Sequence, residues 1–211
     1  MKRRTYYFLI LVIILGLVTI RSVFKTDRRE PGPPTIVRVL DGDTAVLDGG
    51  EEVRLLGIDT PELGEPFADS AAAFLAHLIL RKDIRLQHDF RKRDSYGRLL
   101  AYVYIDDTLL ANVVLVSEGL ARVYLFPDDI TNRPVIDRLI AAQRQALAAN
   151  RGIWSVPVRP EDRYVGNRKT MRFHRPGCDG AVKIVPRNRI VFDTREAALY
   201  DGYSPCRTCR P

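Results

Sequence analysis

The chain has 211 residues, 46% of them hydrophobic and 28% charged, enough for one ordinary domain or two small ones and neither low-complexity nor collagen-like. The net charge of +7 is unevenly laid out: residues 1–30 carry 7 basic and 2 acidic residues, residues 31–162 carry 15 and 20, and residues 163–211 carry 11 and 4. An acidic middle and a basic end suggest separate jobs, the basic end suiting either a polyanionic partner or a plain solvated face.

Lys2, Arg3 and Arg4 precede an apolar run over residues 6–20, which Arg21 ends. That is the pattern of an export signal or a membrane anchor. At about 1.5 Å per residue the run spans roughly 22 Å of helix, short of a ~30 Å hydrocarbon core, and snorkelling of Arg4 and Arg21 would close part of the gap. The following residues, Arg21-Ser22-Val23-Phe24-Lys25, hold no small-x-small cleavage site. Residues 1–22 are therefore predicted to form an uncleaved signal anchor, a single-pass membrane helix with the rest of the chain outside the cytoplasm; cleavage would make the protein secreted.

Residues 23–34, rich in charge, Pro and Gly, read as a linker. Segments 35–40, 44–47 and 52–58 are short, β-branched and separated by Asp-Gly or Gly-Gly, as in a three-stranded meander. Residues 66–80 shift to helical spacing, with Ala72, Leu75, Leu78 and Ile79 on one side. Segments 84–89 and 99–105 return to strand, 110–118 is a short helix stopped by Gly119, and 134–150 is an Ala-rich amphipathic helix stopped by Gly152. Five strands with three helices predict an α+β, mainly β chain built on an OB-type barrel over residues 35–155. A second linker, 156–162, leads to a small module at 163–211.

Four segments carry the chemistry: Asp41-Gly42-Asp43-Thr44; Arg54 through Asp59-Thr60-Pro61-Glu62; Asp94-Ser95-Tyr96-Gly97-Arg98 through Tyr102; and Gly119-Leu120-Ala121-Arg122-Val123-Tyr124. Phosphodiester cleavage needs an activated water, neutralised charge on the phosphorane-like transition state and a stabilised leaving oxygen. Two carboxylates and a carbonyl hold a hard cation such as Ca²⁺, a third carboxylate orients or deprotonates water, and two guanidiniums fork onto phosphate oxygens. Asp43, Asp59, Glu62, Arg54 and Arg98 supply that set, at strand ends and turns that can converge on one barrel mouth. Singly, each piece reads as an ordinary turn, cap or surface ion pair; their order and spacing carry the signal.

With Val39-Leu40 before the first segment and Gly152-Ile153-Trp154-Ser155 at the end, residues 35–155 resemble the staphylococcal nuclease (thermonuclease) family. The resemblance implies that Asp43 and Asp59 bind calcium together with the backbone carbonyl of Thr60. It implies that Glu62 orients the attacking water and serves as general base, that Arg54 and Arg98 bind phosphate, and that Tyr96 and Tyr124 lie near the nucleotide. It further implies hydrolysis of single-stranded DNA and RNA with little sequence preference. The alternative is a surface nucleic-acid-binding protein whose barrel holds but does not cut.

All three cysteines lie in the tail, where His174, Cys178, Cys206 and Cys209 form two close pairs. Four such ligands suit a closed tetrahedral zinc site, and a 49-residue module has little core of its own, so a structural metal would supply folding free energy. A Cys206–Cys209 disulfide with Cys178 free is the competing reading for an exported chain. The tail, from Tyr164-Val165-Gly166-Asn167 through Phe173-His174 to Pro205-Cys206 and Cys209-Arg210-Pro211, also resembles the small zinc-binding domain of the Ada DNA-repair family. That family usually uses four cysteines, one of them a methyl acceptor. With His174 in one of the positions, the resemblance implies a zinc-held, DNA-contacting surface and not methyl transfer.

Overall fold

The computed structural model describes residues 32–126 and 131–211. The expected N-terminal membrane helix lies outside them, and among the described residues no helix is long and apolar enough to cross a membrane.

Strands β1 (Ile36–Val39), β2 (Thr44–Leu47) and β3 (Glu52–Leu55) form the expected antiparallel meander, with Val39 opposite Ala45 and Thr44 opposite Arg54. Helix α1 (Ala68–Ile79) and strand β5 (Arg85–Gln87) precede β6 (Leu99–Tyr104), which runs parallel to β3 and antiparallel to β5, so the sheet order is β1-β2-β3-β6-β5. The segment 52–58, expected as one strand, is two. Gly57 breaks it at φ +77°, where a Cβ would lie 2.7 Å from Leu139 Cδ1. The chain turns there, and β4 (Ile58–Asp59) pairs with β7 (Arg122–Val123) in a second small sheet, Asp59 opposite Arg122.

Helices α2 (Ala111–Ser117) and α3 (Arg133–Ala148) complete the barrel domain. The α3 start is built locally: the Asn132 side chain accepts from the Val135 N–H, and Pro134 occupies the first turn, where its missing donor costs nothing. Val53, Leu55, Ala101 and Val103 from the sheet, Leu75 and Ile79 from α1, Leu115 from α2 and Leu139 from α3 are all fully buried in one core. Each buried Leu, Ile or Val contributes about 1.5–3 kcal/mol by leaving water. Asn112 fixes α2 to the sheet from inside, donating to the Leu56 carbonyl (2.8 Å) and accepting from the Val103 N–H (2.9 Å).

The tail folds into a second sheet, β10 (Arg189–Phe192), β8 (Tyr164–Asn167), β9 (Arg172–His174) and β11 (Ser204–Pro205) in that order, with short helices α4 (Asp179–Val182) and α5 (Arg195–Tyr200). Thr194 caps α5, its hydroxyl accepting from the Ala197 N–H at 3.0 Å. Residues 156–162 have no regular secondary structure. The two parts that charge alone divides are nevertheless one compact unit, Pro33–Pro211. The tail core of Tyr164, Phe173, Phe192, Leu199 and Tyr203 continues into Ala146 and Leu147 of α3 and Trp154 of the 3₁₀ turn Gly152–Ser155.

Three polar side chains tie the same joint. Gln143, fully buried on α3, accepts from the Val123 N–H and donates to the Leu199 carbonyl, both at 2.7 Å. Ser204 Oγ donates to the Val123 carbonyl at 2.7 Å, and Arg172 donates to that of Leu125 at 2.9 Å. Gln143→Leu leaves the buried Val123 N–H without its acceptor and takes one of two donors from the Leu199 carbonyl, which keeps the Gly202 N–H, so it is expected to cost about 1–3 kcal/mol. A thermal melt unchanged by the substitution would remove Gln143 from this role.

Candidate active site and metal centre

The turn between β1 and β2 presses against α1. A Cβ on Gly42 would lie 2.6 Å from Ala71 Cβ and 2.8 Å from Thr60 Cβ, so only glycine lets the turn sit this close. Asp41 Oδ1 accepts from the Asp43 N–H at 2.9 Å, an Asx turn that aims Asp43 inward. Asp43, 6% exposed, accepts at Oδ2 from the Thr60 N–H (3.0 Å) and hydroxyl (3.2 Å). Asp59, 3% exposed, reaches the same place from β4.

Arg54 joins them. Its Nη2 lies 3.0 Å from Asp43 Oδ2 and 3.5 Å from Asp59 Oδ1, while its fork donates to the Leu55 and Ile58 carbonyls at 2.8 and 3.0 Å. Burial pushes the Asp43 carboxyl up to about 6; the Arg54 charge pulls against it, and Asp41 and Asp59 add to it. The two buried carboxylates converge on the Arg54 Nη2. Their donor atoms are hard oxygens, so these residues fit a hard divalent cation.

Glu62 stands at the rim with its side chain 69% exposed, and its N–H is held by Glu65 Oε2 at 3.0 Å. Arg98 donates from Nε to Asp94 Oδ2 at 2.8 Å. Burial alone would raise the Asp94 carboxyl, but the Arg98 side chain and the N–H groups of Tyr96 and Arg98 hold it below its ordinary value. Asp43, Arg54, Asp59, Thr60, Glu62 and Arg98 thus line one cleft of about 650 Å³. A smaller groove beside it is lined by Tyr96, Arg98, Tyr124 and Phe126. Tyr96 is exposed, with Arg98 Cζ 5.4 Å from its ring centroid. Tyr124 is half-buried, edge-on to Phe126 and covered by Arg172 Cζ at 3.5 Å.

Three arginines here escape sequence reasoning as site residues. Arg122 donates to Asp59 Oδ2 at 3.1 Å, a consequence of the β4–β7 register. Arg172 covers Tyr124 from the tail. Arg207, also from the tail, donates to Asp59 Oδ1 and lies 3.8 Å from Glu62 Oε1. Arg122 stands inside one of the four motif segments, so a signal existed for it; none existed for the other two.

At the far side of that contact, one ligand atom each from His174, Cys178, Cys206 and Cys209 lies within 4.8 Å of the others, and the three thiols are free. Ligands around tetrahedral zinc sit roughly 3.3–3.8 Å apart, given bonds of about 2.0–2.3 Å, and His174 Nδ1 and Cys178 Sγ are 3.5 Å apart. Burial pushes the Cys209 thiol up to about 12, with Cys178 and Cys206 adding to it. Burial, helped by Arg172, lowers His174 and keeps the imidazole neutral. Three free thiols and a neutral imidazole gathered at tetrahedral spacing fit a zinc ion.

A cleft with buried carboxylates at its floor and arginines on its walls, at the mouth of an OB-type barrel, is that of a hydrolase acting on phosphodiester bonds. Known proteins agree. Residues 52–156 match the family described as staphylococcal nuclease homologue, and residues 161–211 match the metal binding domain of Ada. Thermonuclease from Staphylococcus intermedius is 36% identical over 172 residues, covering 73% of this chain and 99% of that protein. Endonuclease YncB from Bacillus subtilis (strain 168) is 34% identical over 160 residues, covering 71% and 68%. The chain belongs to the staphylococcal nuclease family and carries an Ada-type metal-binding domain behind the barrel.

Proposed function

We propose that the protein is a calcium-dependent nuclease that hydrolyses phosphodiester bonds in single-stranded DNA or RNA, with zinc in its tail. The convergence of the Asp43 and Asp59 carboxylates on one point, beside Glu62 and Arg98 in the same cleft, carries this reading. Asp43, Asp59 and the Thr60 carbonyl would hold Ca²⁺, which when bound supplies charge neutralisation at the phosphate. Glu62 is exposed enough to orient a water in the cleft and take its proton as the water oxygen bonds to phosphorus, while the P–O bond to the leaving group breaks and solvent protonates the leaving oxygen. Arg54 and Arg98 face the phosphate oxygens, where negative charge builds in the transition state. Tyr96 offers an exposed ring to the flanking nucleotide, and Tyr124, with Arg172 over its ring, lines the groove beside it. His174, Cys178, Cys206 and Cys209 would hold Zn²⁺, and the basic tail raises the local concentration of polyanion beside an acidic barrel.

The apolar run at residues 6–20 behind Lys2, Arg3 and Arg4 supports a membrane-anchored enzyme with its barrel outside the cytoplasm. N-terminal sequencing of protein from the membrane fraction tests that part: an intact residue 1–22 segment is expected.

For the chemistry, the purified protein is expected to cut single-stranded DNA with Ca²⁺, to stop on chelation and to resume when Ca²⁺ is restored. Undiminished cutting in chelator would overturn the calcium reading. Salt-dependent binding with no product after long incubation would make the protein the non-catalytic binder instead.

A further inference from the structure

We infer that Arg207, on the metal-ligand loop of the tail, is a third phosphate-contacting residue of the nuclease cleft; the inference rests on the nuclease reading above. Arg207 lies between Cys206 and Cys209, and its guanidinium donates to Asp59 and stands 3.8 Å from Glu62 Oε1. Its Cζ is 5.3 Å from the Tyr124 ring centroid, and the residue lines both the cleft and the neighbouring tyrosine groove. It therefore occupies the passage between the reacting carboxylates and the place where the next nucleotide lies.

The loop beneath it is fastened. The Cys206 N–H donates to the Phe173 carbonyl (2.9 Å) and the Arg210 N–H to that of Cys206 (2.9 Å). Arg175 Nε donates to the Cys209 carbonyl (3.1 Å), and Arg210 pairs with Glu65 of the barrel (2.9 Å). The backbone of Arg207 is thus placed by the tail fold, while its side chain stays 57% exposed. Arg54 and Arg98 expose only 15% and 28% of theirs and are engaged with backbone carbonyls and with Asp94.

Charge favours the phosphate as its working partner. The cleft is lined by six carboxylates and three arginines, so it is net −3 with Arg207 and −4 without it. A divalent cation brings these to −1 and −2, and a polyanion must enter against what remains. Asp59 already has Arg54 and Arg122. A divalent cation on the Asp59 carboxylate would compete with Arg207 for it, and the freed planar guanidinium fork would turn to the nearest anion, a phosphate of the incoming strand.

The experiment uses the full chain. Binding of a fluorescent single-stranded oligonucleotide with Ca²⁺ is measured over a salt series in a Glu62→Gln background, with and without Arg207→Ala. KM and kcat are measured with Glu62 intact. Arg207→Ala is expected to weaken binding about tenfold and to make the log-affinity against log-salt slope shallower by about 0.7, one phosphate contact on a single strand. KM should rise more than kcat falls. Arg207→Lys should restore the slope, with bound zinc and melting midpoint unchanged in both variants. If Arg207→Ala loses zinc, the uncharged but still polar Arg207→Gln carries the same readings. An unchanged salt slope overturns the inference; so does faster cutting at lower Ca²⁺ in Arg207→Ala, which would make the side chain a latch over the metal site. A wild-type protein that binds without cutting would sink the nuclease reading, while the salt slope still decides Arg207.

Discussion

Glu62→Gln is expected to lower kcat by about 10²–10⁴-fold, the usual contribution of a positioned general base. Glutamine keeps the size and hydrogen-bonding reach of the side chain but cannot take a proton from water. Glu62 is the cleanest residue for this experiment because it stands at the rim with its side chain 69% exposed, and its N–H bond to Glu65 involves only backbone of its own. Exposed substitutions of this kind stay within about 0.5 kcal/mol in stability, so the melt should not move and Ca²⁺ affinity should change little. Arg54→Ala would be far less readable. It removes the cation that lies against both Asp43 and Asp59 and leaves two buried carboxylates facing each other, a loss of stability mixed with a loss of catalysis. Single-turnover cleavage of single-stranded DNA at saturating Ca²⁺ is the measurement. A rate within threefold of wild type would take the base role away from Glu62.

Cys209→Ser is expected to release the metal and to destabilise the tail by on the order of 5 kcal/mol. Structural zinc supplies about 10–16 kcal/mol in isolated finger peptides, and less is expected here because the tail core also leans on the barrel. Leu199, Phe173 and Tyr203 pack against Ala146 and Leu147 of α3 and against Trp154, so the module holds more apolar surface than its own sheet provides. A metal count of one zinc per wild-type chain and none in the variant, together with a new low-temperature transition in the melt, is the expected result. Loosening the tail would uncover the α3 face, so binding of an apolar dye should rise. Cleavage should fall as well, since the same loop carries Arg207 to Asp59. A variant without zinc that melts like wild type would show that the four ligands do not hold the tail together.

Much of the barrel was legible because its signals are local. Alternation and turn residues predict β2 at its observed bounds and β1, β5 and β6 to within a few residues, and the 3.6-residue period predicts all three barrel helices. The strand over 52–58 was misread because Gly57 looks like any glycine in a strand. Its positive φ belongs to the turn that sends the chain from β3 to β4, whose partner strand β7 lies more than sixty positions away. That Asp43, Asp59, Glu62, Arg54 and Arg98 share one cleft was legible for a similar reason: each sits in a short motif. The gathering of His174, Cys178, Cys206 and Cys209 was legible from their spacing.

What the sequence by itself determined, then, is the set of elements, the donor types and the four motifs, because backbone propensity, turn chemistry and ligand spacing act over a few residues. Only the tertiary structure decided that the barrel and tail share a core through Gln143, Ser204 and Leu199, and that a basic tail sends Arg207 into an acidic cleft. The Arg207–Asp59 pair is separated by 148 residues. Such a contact depends on where two folded surfaces meet, and an exposed arginine between two cysteines looks the same in sequence whether it faces solvent or a buried carboxylate.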